Sequence, residues 1–138
     1  MTRTDTRLDA GLAVLRIVAG SIFLAHGAQK LFVSGLAGVT GAFTQMGAPL
    51  PVMTGPLVAG LEFVGGIALI IGFMTRLVGL AFALEMVGAI FIVHLSAGFF
   101  LPGVEFVLLL CAAGAALALT GAGAFSVDAA LARRRAGA

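Results

Sequence analysis

The sequence has no tryptophan, no tyrosine and one cysteine, Cys111. A single thiol rules out an intrachain disulfide and any Cys-x-x-Cys chemistry, and without a Cys/His cluster no metal site is expected. Charge is scarce too: Lys, Arg, Asp and Glu make up 10% of the 138 residues, against roughly 25% in an average soluble protein. A soluble domain of 13.9 kDa must wet much of its surface, and so few charged side chains cannot do that. Disorder is excluded for the opposite reason, because 61% of the residues are hydrophobic and the mean hydropathy is +1.18. What remains is an integral membrane protein. The net charge of +2 comes mainly from the ends of the chain, so it bears on topology and gives no reason to expect nucleic acid as a partner.

The few charges punctuate long apolar runs. Between Lys30 and Arg76 only Glu62 is charged, between Arg76 and Glu105 only Glu85, and from Phe106 to Val127 nothing is. Crossing the hydrocarbon takes about 20 apolar residues in a helix. Four segments qualify, at about residues 12–32, 56–73, 76–96 and 102–120. Lipid-facing backbone must satisfy its own hydrogen bonds, and no alternating barrel strands are visible. The expected fold is therefore all-α, a four-transmembrane-helix bundle forming a single domain over residues 1–138.

The joints fit that reading. Pro56 and Pro102 suit helix starts, where a missing N–H does no harm. Thr75 is placed to cap the third span after Gly72 ends the second, and Gly121 and Gly123 close the fourth. The short Gly72–Arg76 connection makes spans two and three a hairpin. Two further pieces are too short to cross. Leu36, Val39, Phe43 and Met46 recur at helical spacing, which predicts a short surface helix ending before Pro49 and Pro51. In the tail from about residue 124 to 138, Ser126 can cap a short interfacial helix. Asp128 falls in its first turn and Arg133, Arg134 and Arg135 in its last.

Arg3, Arg7, Arg76 and Arg133–Arg135 share one side of such a bundle, and the other side carries only Lys30. The positive-inside rule puts both termini in the cytoplasm of a bacterial plasma membrane. The first span reads as a retained helix and not a cleaved signal peptide, because Arg16 interrupts it and no A-x-A site follows.

An ionisable group at the centre of a span costs roughly 2.5–3.5 kcal/mol, so the depth of each one matters. Counting along the helical rise from the outer edge, Lys30 and His94 lie roughly 3 Å in, Glu105 roughly 5 Å, and His26 and Glu62 roughly 9 Å. These five come from all four spans and gather in the outer half as a polar pocket. Glu85 lies apart, near the midplane, as a buried carboxylate packed among Ala81, Gly88 and Ala89. His26 and Lys30 share a helix face at i and i+4. Gly65 and Gly66 follow Glu62, and Ala68/Gly72, Gly79/Ala83 and Ala112/Ala116 repeat a small-xxx-small spacing that lets helices approach.

Each feature has a plainer reading beside the functional one. Glu62 with His26 or Lys30 serves equally as a structural ion pair or as a working site. Solvation near the interface accounts for Glu105 and His94. Arg16 either snorkels to the inner headgroups or reaches towards Glu85. Cys111 suits a small hydrophobe. His26 and His94 face too different a depth to favour a shared haem.

Taken together these residues resemble the DoxX family of small bacterial membrane proteins. The likeness runs from about Leu15 to Asp128. It is carried by Arg16-Ile-Val-Ala-Gly20, Phe23-Leu-Ala-His-Gly-Ala-Gln-Lys30, Glu62-Phe-Val-Gly-Gly66, Thr75-Arg76, Gly103-Val-Glu105, Gly121-Ala-Gly123 and Ser126-Val-Asp128. The basic residue often found after the second Gly of the Gly-x-Gly piece is missing. The resemblance implies a four-helix inner-membrane protein, loosely linked to the DoxD-type membrane subunit of thiosulfate:quinone oxidoreductase. It also implies a role as anchor for redox partners.

Three functions compete. The first is a membrane subunit or anchor of a redox-related system that binds a quinone or small substrate in the outer pocket, with no cofactor of its own. Lys30 would attract an anion, and Glu62 and His26 would exchange protons or hydrogen-bond a carbonyl. The second is a small proton-coupled transporter, which Glu85 at the midplane favours and the absence of an inverted repeat disfavours. The third is a structural scaffold without chemistry. Expected partners are the bilayer, redox proteins and a second copy of the chain.

Overall fold

A computed structural model describes residues 3–95, 98–100 and 103–137, and these are mainly helical with no strand among them. The helices are α1 (Arg3–Ala28), α2 (Gly35–Gln45), α3 (Pro51–Ile71), α4 (Thr75–Ala89), α5 (Val104–Thr120) and α6 (Val127–Ala136). Two wider π-helical stretches, Gln29–Ser34 and Ile90–His94, prolong α1 and α4. By length and composition α3, and α1 and α4 with their continuations (Asp5–Gln45 and Thr75–His94), can each cross a membrane, and α5 is a shorter apolar helix of 17 residues. Val14, Val18, Val64, Leu84 and Leu109 lie exposed along them, a surface that suits lipid and not water.

The bundle is built from two antiparallel pairs, α1 with α3 and α4 with α5. Glycine sets both contacts. A Cβ on Gly20 would stand 2.8 Å from the carbonyl oxygen of Gly66, and one on Gly66 2.6 Å from the backbone nitrogen of Leu24. A Cβ on Gly27 would strike the backbone of Phe63. In the second pair, a Cβ on Gly79 or on Gly114 would lie 2.8 or 2.9 Å from the other's carbonyl oxygen. Main chains touch here, and such packing replaces the hydrophobic drive that helices lack in lipid. A core joins the pairs. Phe23 of α1 and Phe82 of α4 stack with centroids 3.7 Å apart and planes 3° from parallel. Leu69, Met86, Val107, Leu110 and Leu117 surround them, and Gly65 makes room for the Phe82 ring.

Several joints match expectation. Gly72 (φ 73°) ends α3 and Gly121 (φ 84°) ends α5, both at positive φ. Ser126 caps α6 by accepting the Ala129 N–H at 3.1 Å. The surface helix is present as α2, where Gly35 (φ 68°) turns the chain out of α1.

Other boundaries need correction. α3 starts at Pro51, so Pro56 lies inside the helix; Pro51 already fills the first-turn place where a missing N–H is tolerated. Thr75 is not the cap of α4. Met74 precedes that helix in a left-handed conformation (φ 49°), and the acceptor for its N–H comes from the far end of the chain. α1 begins at Arg3, ahead of the expected residue 12. Pro102 and Ser96 lie outside the described residues. The tail is not free either, because the Asp128 N–H donates to the Gly72 carbonyl at 2.9 Å and anchors α6 on the α3–α4 hairpin.

Candidate functional site

Away from the termini the two helix pairs enclose a cavity of about 400 Å³. Its walls are mostly apolar: Phe23, Val58, Met86, Ile92, Phe106 and Leu110. Phe43 and Met46, from α2 and its end, close one side together with Ala48 and Pro49. The ionisable groups are His26, Lys30, Glu62, Glu85 and His94, supplied by α1, α3, α4 and the two π-helical continuations, and Thr54 of α3 also lines the cavity. Both Lys30 and His94 sit on those wider turns, and π-helical insertions recur where helices carry function.

Lys30 donates to Glu62 Oε2 in an ion pair, with the lysine side chain 26% exposed and the glutamate 6%. Glu85 adjoins Glu62, carboxyl to carboxyl, and its Oε2 is buried with no hydrogen-bond partner in the protein. Three ionisable groups from three helices thus run from half-exposed Lys30 through buried Glu62 to half-buried Glu85 at the cavity wall. His94 Nδ1 lies 3.1 Å from the Ala89 carbonyl oxygen.

The structure brings together four of the five residues expected in the outer pocket and adds Glu85 to them. His26 lines the cavity but is exposed, and the partner of Glu62 is Lys30. Glu105 is half-buried in the first turn of α5 and is not part of the lining. Glu85, expected apart from the pocket, belongs to it. Gly88 faces open space, with nothing within 4 Å of the point a Cβ would occupy, so it lines the cavity and does not pack against a helix. Cys111 is half-buried and points its Sγ at the Ala83 carbonyl oxygen, 3.5 Å away. Among the described residues no three His, Cys, Asp or Glu side chains gather to hold a metal.

Arg16 does something the sequence did not suggest. It is 2% exposed, and its Nη2 donates to the Phe125 carbonyl at 2.6 Å. It neither snorkels nor approaches Glu85. The same end of the bundle carries two more long-range ties. Asp128 accepts the N–H groups of Met74 and Thr75 at 2.8 and 2.9 Å, and Asp9 accepts that of Ala124 at 2.9 Å. The sequence held one signal for this, the recurrence of small and polar residues around Gly72, Gly121 and Ser126.

Glycine-sealed helix pairs, an apolar exterior and a partly polar cavity define an integral-membrane helical bundle with room for a small ligand. The chain belongs to the DoxX family: the family model for DoxX matches residues 11–95. It is 37% identical over 120 residues to the "Putative oxidoreductase CatD" of Bacillus subtilis, covering 87% of this chain and 86% of that protein. It is 34% identical over 122 residues to the "Inner membrane protein YqjF" of Escherichia coli, covering 87% of this chain and 91% of that protein. No solved structure matches the chain significantly.

Proposed function

We propose that the protein is a membrane subunit or anchor of a redox-related system and that it binds a quinone, or a ligand of similar size and polarity, in the cavity between its helix pairs. The observation that carries this is the cavity itself: about 400 Å³, apolar walls, and a carboxyl group with an unused oxygen at one side. Ligand sites of small molecules have this makeup, apolar surface with a few placed polar groups. A ring would lie among Phe23, Met86, Phe106 and Leu110, and its carbonyl would meet the Lys30–Glu62–Glu85 chain. The name of the Bacillus relative supports the redox class.

In this reading the chain crosses the bacterial plasma membrane four times with both termini cytoplasmic, so the cavity opens in the outer half. A redox protein or a second copy of the chain is the expected partner. The run from Lys30 through buried Glu62 to half-buried Glu85 also suits a proton-coupled carrier; proton uptake by liposomes holding the protein, driven by a ligand gradient, would favour that alternative.

The test is titration of the purified protein in lipid nanodiscs with a short-chain benzoquinone. Saturable binding is expected, weakened about tenfold in Glu85→Gln or Glu62→Gln, the equivalent of about 1.4 kcal/mol. Absence of saturable binding would overturn the proposal. For topology, reporters at the C-terminus and in the loop after α2 should report opposite sides.

A further inference from the structure

At the end of the bundle that holds both termini lies a second pocket, of about 480 Å³. Its wall includes Arg76, Thr75, Thr120, Asp128 and the Gly121–Gly123 turn, and its rim carries the exposed apolar side chains of Met74 and Leu77. Arg76 is exposed, and among the described residues it has no ion-pair or hydrogen-bond partner. Its guanidinium lies beside Gly121, where a Cβ would stand 3.2 Å from Nε. Thr75 is wholly buried, yet its Oγ1 has no hydrogen-bond partner in the protein. A buried hydroxyl without a partner calls for an explanation. Here it borders a pocket with an unpaired cation.

The pocket also contains one anion. Asp128 uses both oxygens to accept the Met74 and Thr75 N–H groups, but a carboxylate has about four lone-pair sites, so it can still accept. Arginine is suited to phosphate, which it can grip through two parallel N–H groups. A cation and a carboxylate on one wall, flanked by exposed Met74 and Leu77, match a molecule with a phosphate, an ammonium group and an acyl chain.

We propose that this pocket seats the headgroup of a phosphoethanolamine lipid of the adjacent leaflet, its phosphate on Arg76 and its ammonium on Asp128. A phosphatidylcholine headgroup has no N–H to give the carboxylate. Phosphatidylglycerol offers a phosphate with no cation and meets the charge of Asp128. Inorganic phosphate lacks both the ammonium group and the chain that Met74 and Leu77 would hold. The proposal is independent of the cavity at the other end.

The experiment is native mass spectrometry of the delipidated full-length protein, titrated separately with phosphatidylethanolamine, phosphatidylglycerol, phosphatidylcholine and inorganic phosphate. Phosphatidylethanolamine should be retained about tenfold more than either other lipid. Arg76→Gln should weaken retention of all three lipids about tenfold and Arg76→Lys should restore part of it, while Asp128→Asn should remove most of the preference for phosphatidylethanolamine. Arg134→Gln, an exposed change outside the pocket, should leave it intact. Equal retention of the three lipids, stronger retention of phosphatidylglycerol, occupancy by inorganic phosphate alone, an Arg76→Gln protein that retains phosphatidylethanolamine as well as wild type, or an Asp128→Asn protein that keeps the wild-type preference would each overturn the proposal.

Discussion

At the end of the bundle that holds both termini, buried and half-buried polar groups are tied to partners far along the chain. Arg16 reaches Phe125, Asp9 reaches Ala124, and Asp128 reaches Gly72, Met74 and Thr75. At the other end the polar groups gather around a cavity, with the Lys30–Glu62 pair beside a carboxyl oxygen that lacks a partner. The first arrangement joins the amino-terminal helix, the α3–α4 hairpin and the carboxy-terminal segment. Each such bond is worth about 0.5–1.5 kcal/mol, and more where one partner is charged. The second arrangement leaves packing and hydrogen bonding incomplete where a ligand can use them. The difference is one of connectivity and not of complete hydrogen bonding, because Arg16 Nε and Nη1 and Thr75 Oγ1 are also buried without partners at the first end: there the bonds join distant parts of the chain, whereas at the cavity the ionisable groups face one open space.

Substitutions can break that division or sharpen it. The largest effect is expected where main chains touch. Gly66→Leu or Gly27→Leu drives a side chain into the backbone of the facing helix and should destabilise the bundle by about 3 kcal/mol or more. Thermal unfolding in detergent measures it, and a wild-type Tm for Gly66→Leu would remove the glycine contact as the basis of the α1–α3 pair. Next comes the terminal clamp. Asp128→Ala strips the acceptor from Met74 and Thr75, and a left-handed non-glycine residue then loses the bond that holds it. The expected loss is about 2 kcal/mol, with Asp128→Asn roughly halving it. A loss confined to α6, seen by hydrogen exchange with α4 unaffected, would contradict the capping role.

The Lys30–Glu62 pair should show a smaller, coupled effect. Lys30→Met alone leaves a mostly buried carboxylate without its cation, which costs more than removing both charges together. In a double-mutant cycle with Glu62→Gln the coupling should be about 1–2 kcal/mol. His26→Ala combined with Glu62→Gln should be additive, because His26 is exposed and Glu62 is paired elsewhere. Coupling between His26 and Glu62 equal to that with Lys30 would redraw the cluster.

The helices and their order are legible in the sequence, because membrane spans need long apolar runs and the few charges and glycines mark their ends. Gly66 and Gly79 are legible as approach points for the same reason. The site is only half legible. Lys30, Glu62 and His94 follow from depth counting, and Gly27 lies against the Glu62–Phe63 backbone, which keeps Glu62 level with His26 as the count has it. Counting along single helices does not show that Glu85 lines the same cavity. The π-helical turns that carry Lys30 and His94 leave no compositional mark. Nor does local spacing reveal that Asp128, suited to the first turn of its own helix, caps α4 instead, or that Arg16 meets a carbonyl 109 residues away.

The smallest structural change gives the most direct measurement. Gly88 lines the cavity and has open space where a side chain would stand. Gly88→Leu should shift stability by no more than about 1 kcal/mol, the range of changes away from packed features, while its side chain occupies ligand volume. Titration of a short-chain benzoquinone into wild-type and Gly88→Leu protein in nanodiscs, with Tm recorded on the same samples, should show binding lost by at least about tenfold and Tm nearly unchanged. Undiminished quinone binding in a stably folded Gly88→Leu protein would contradict the assignment of the cavity as the ligand site.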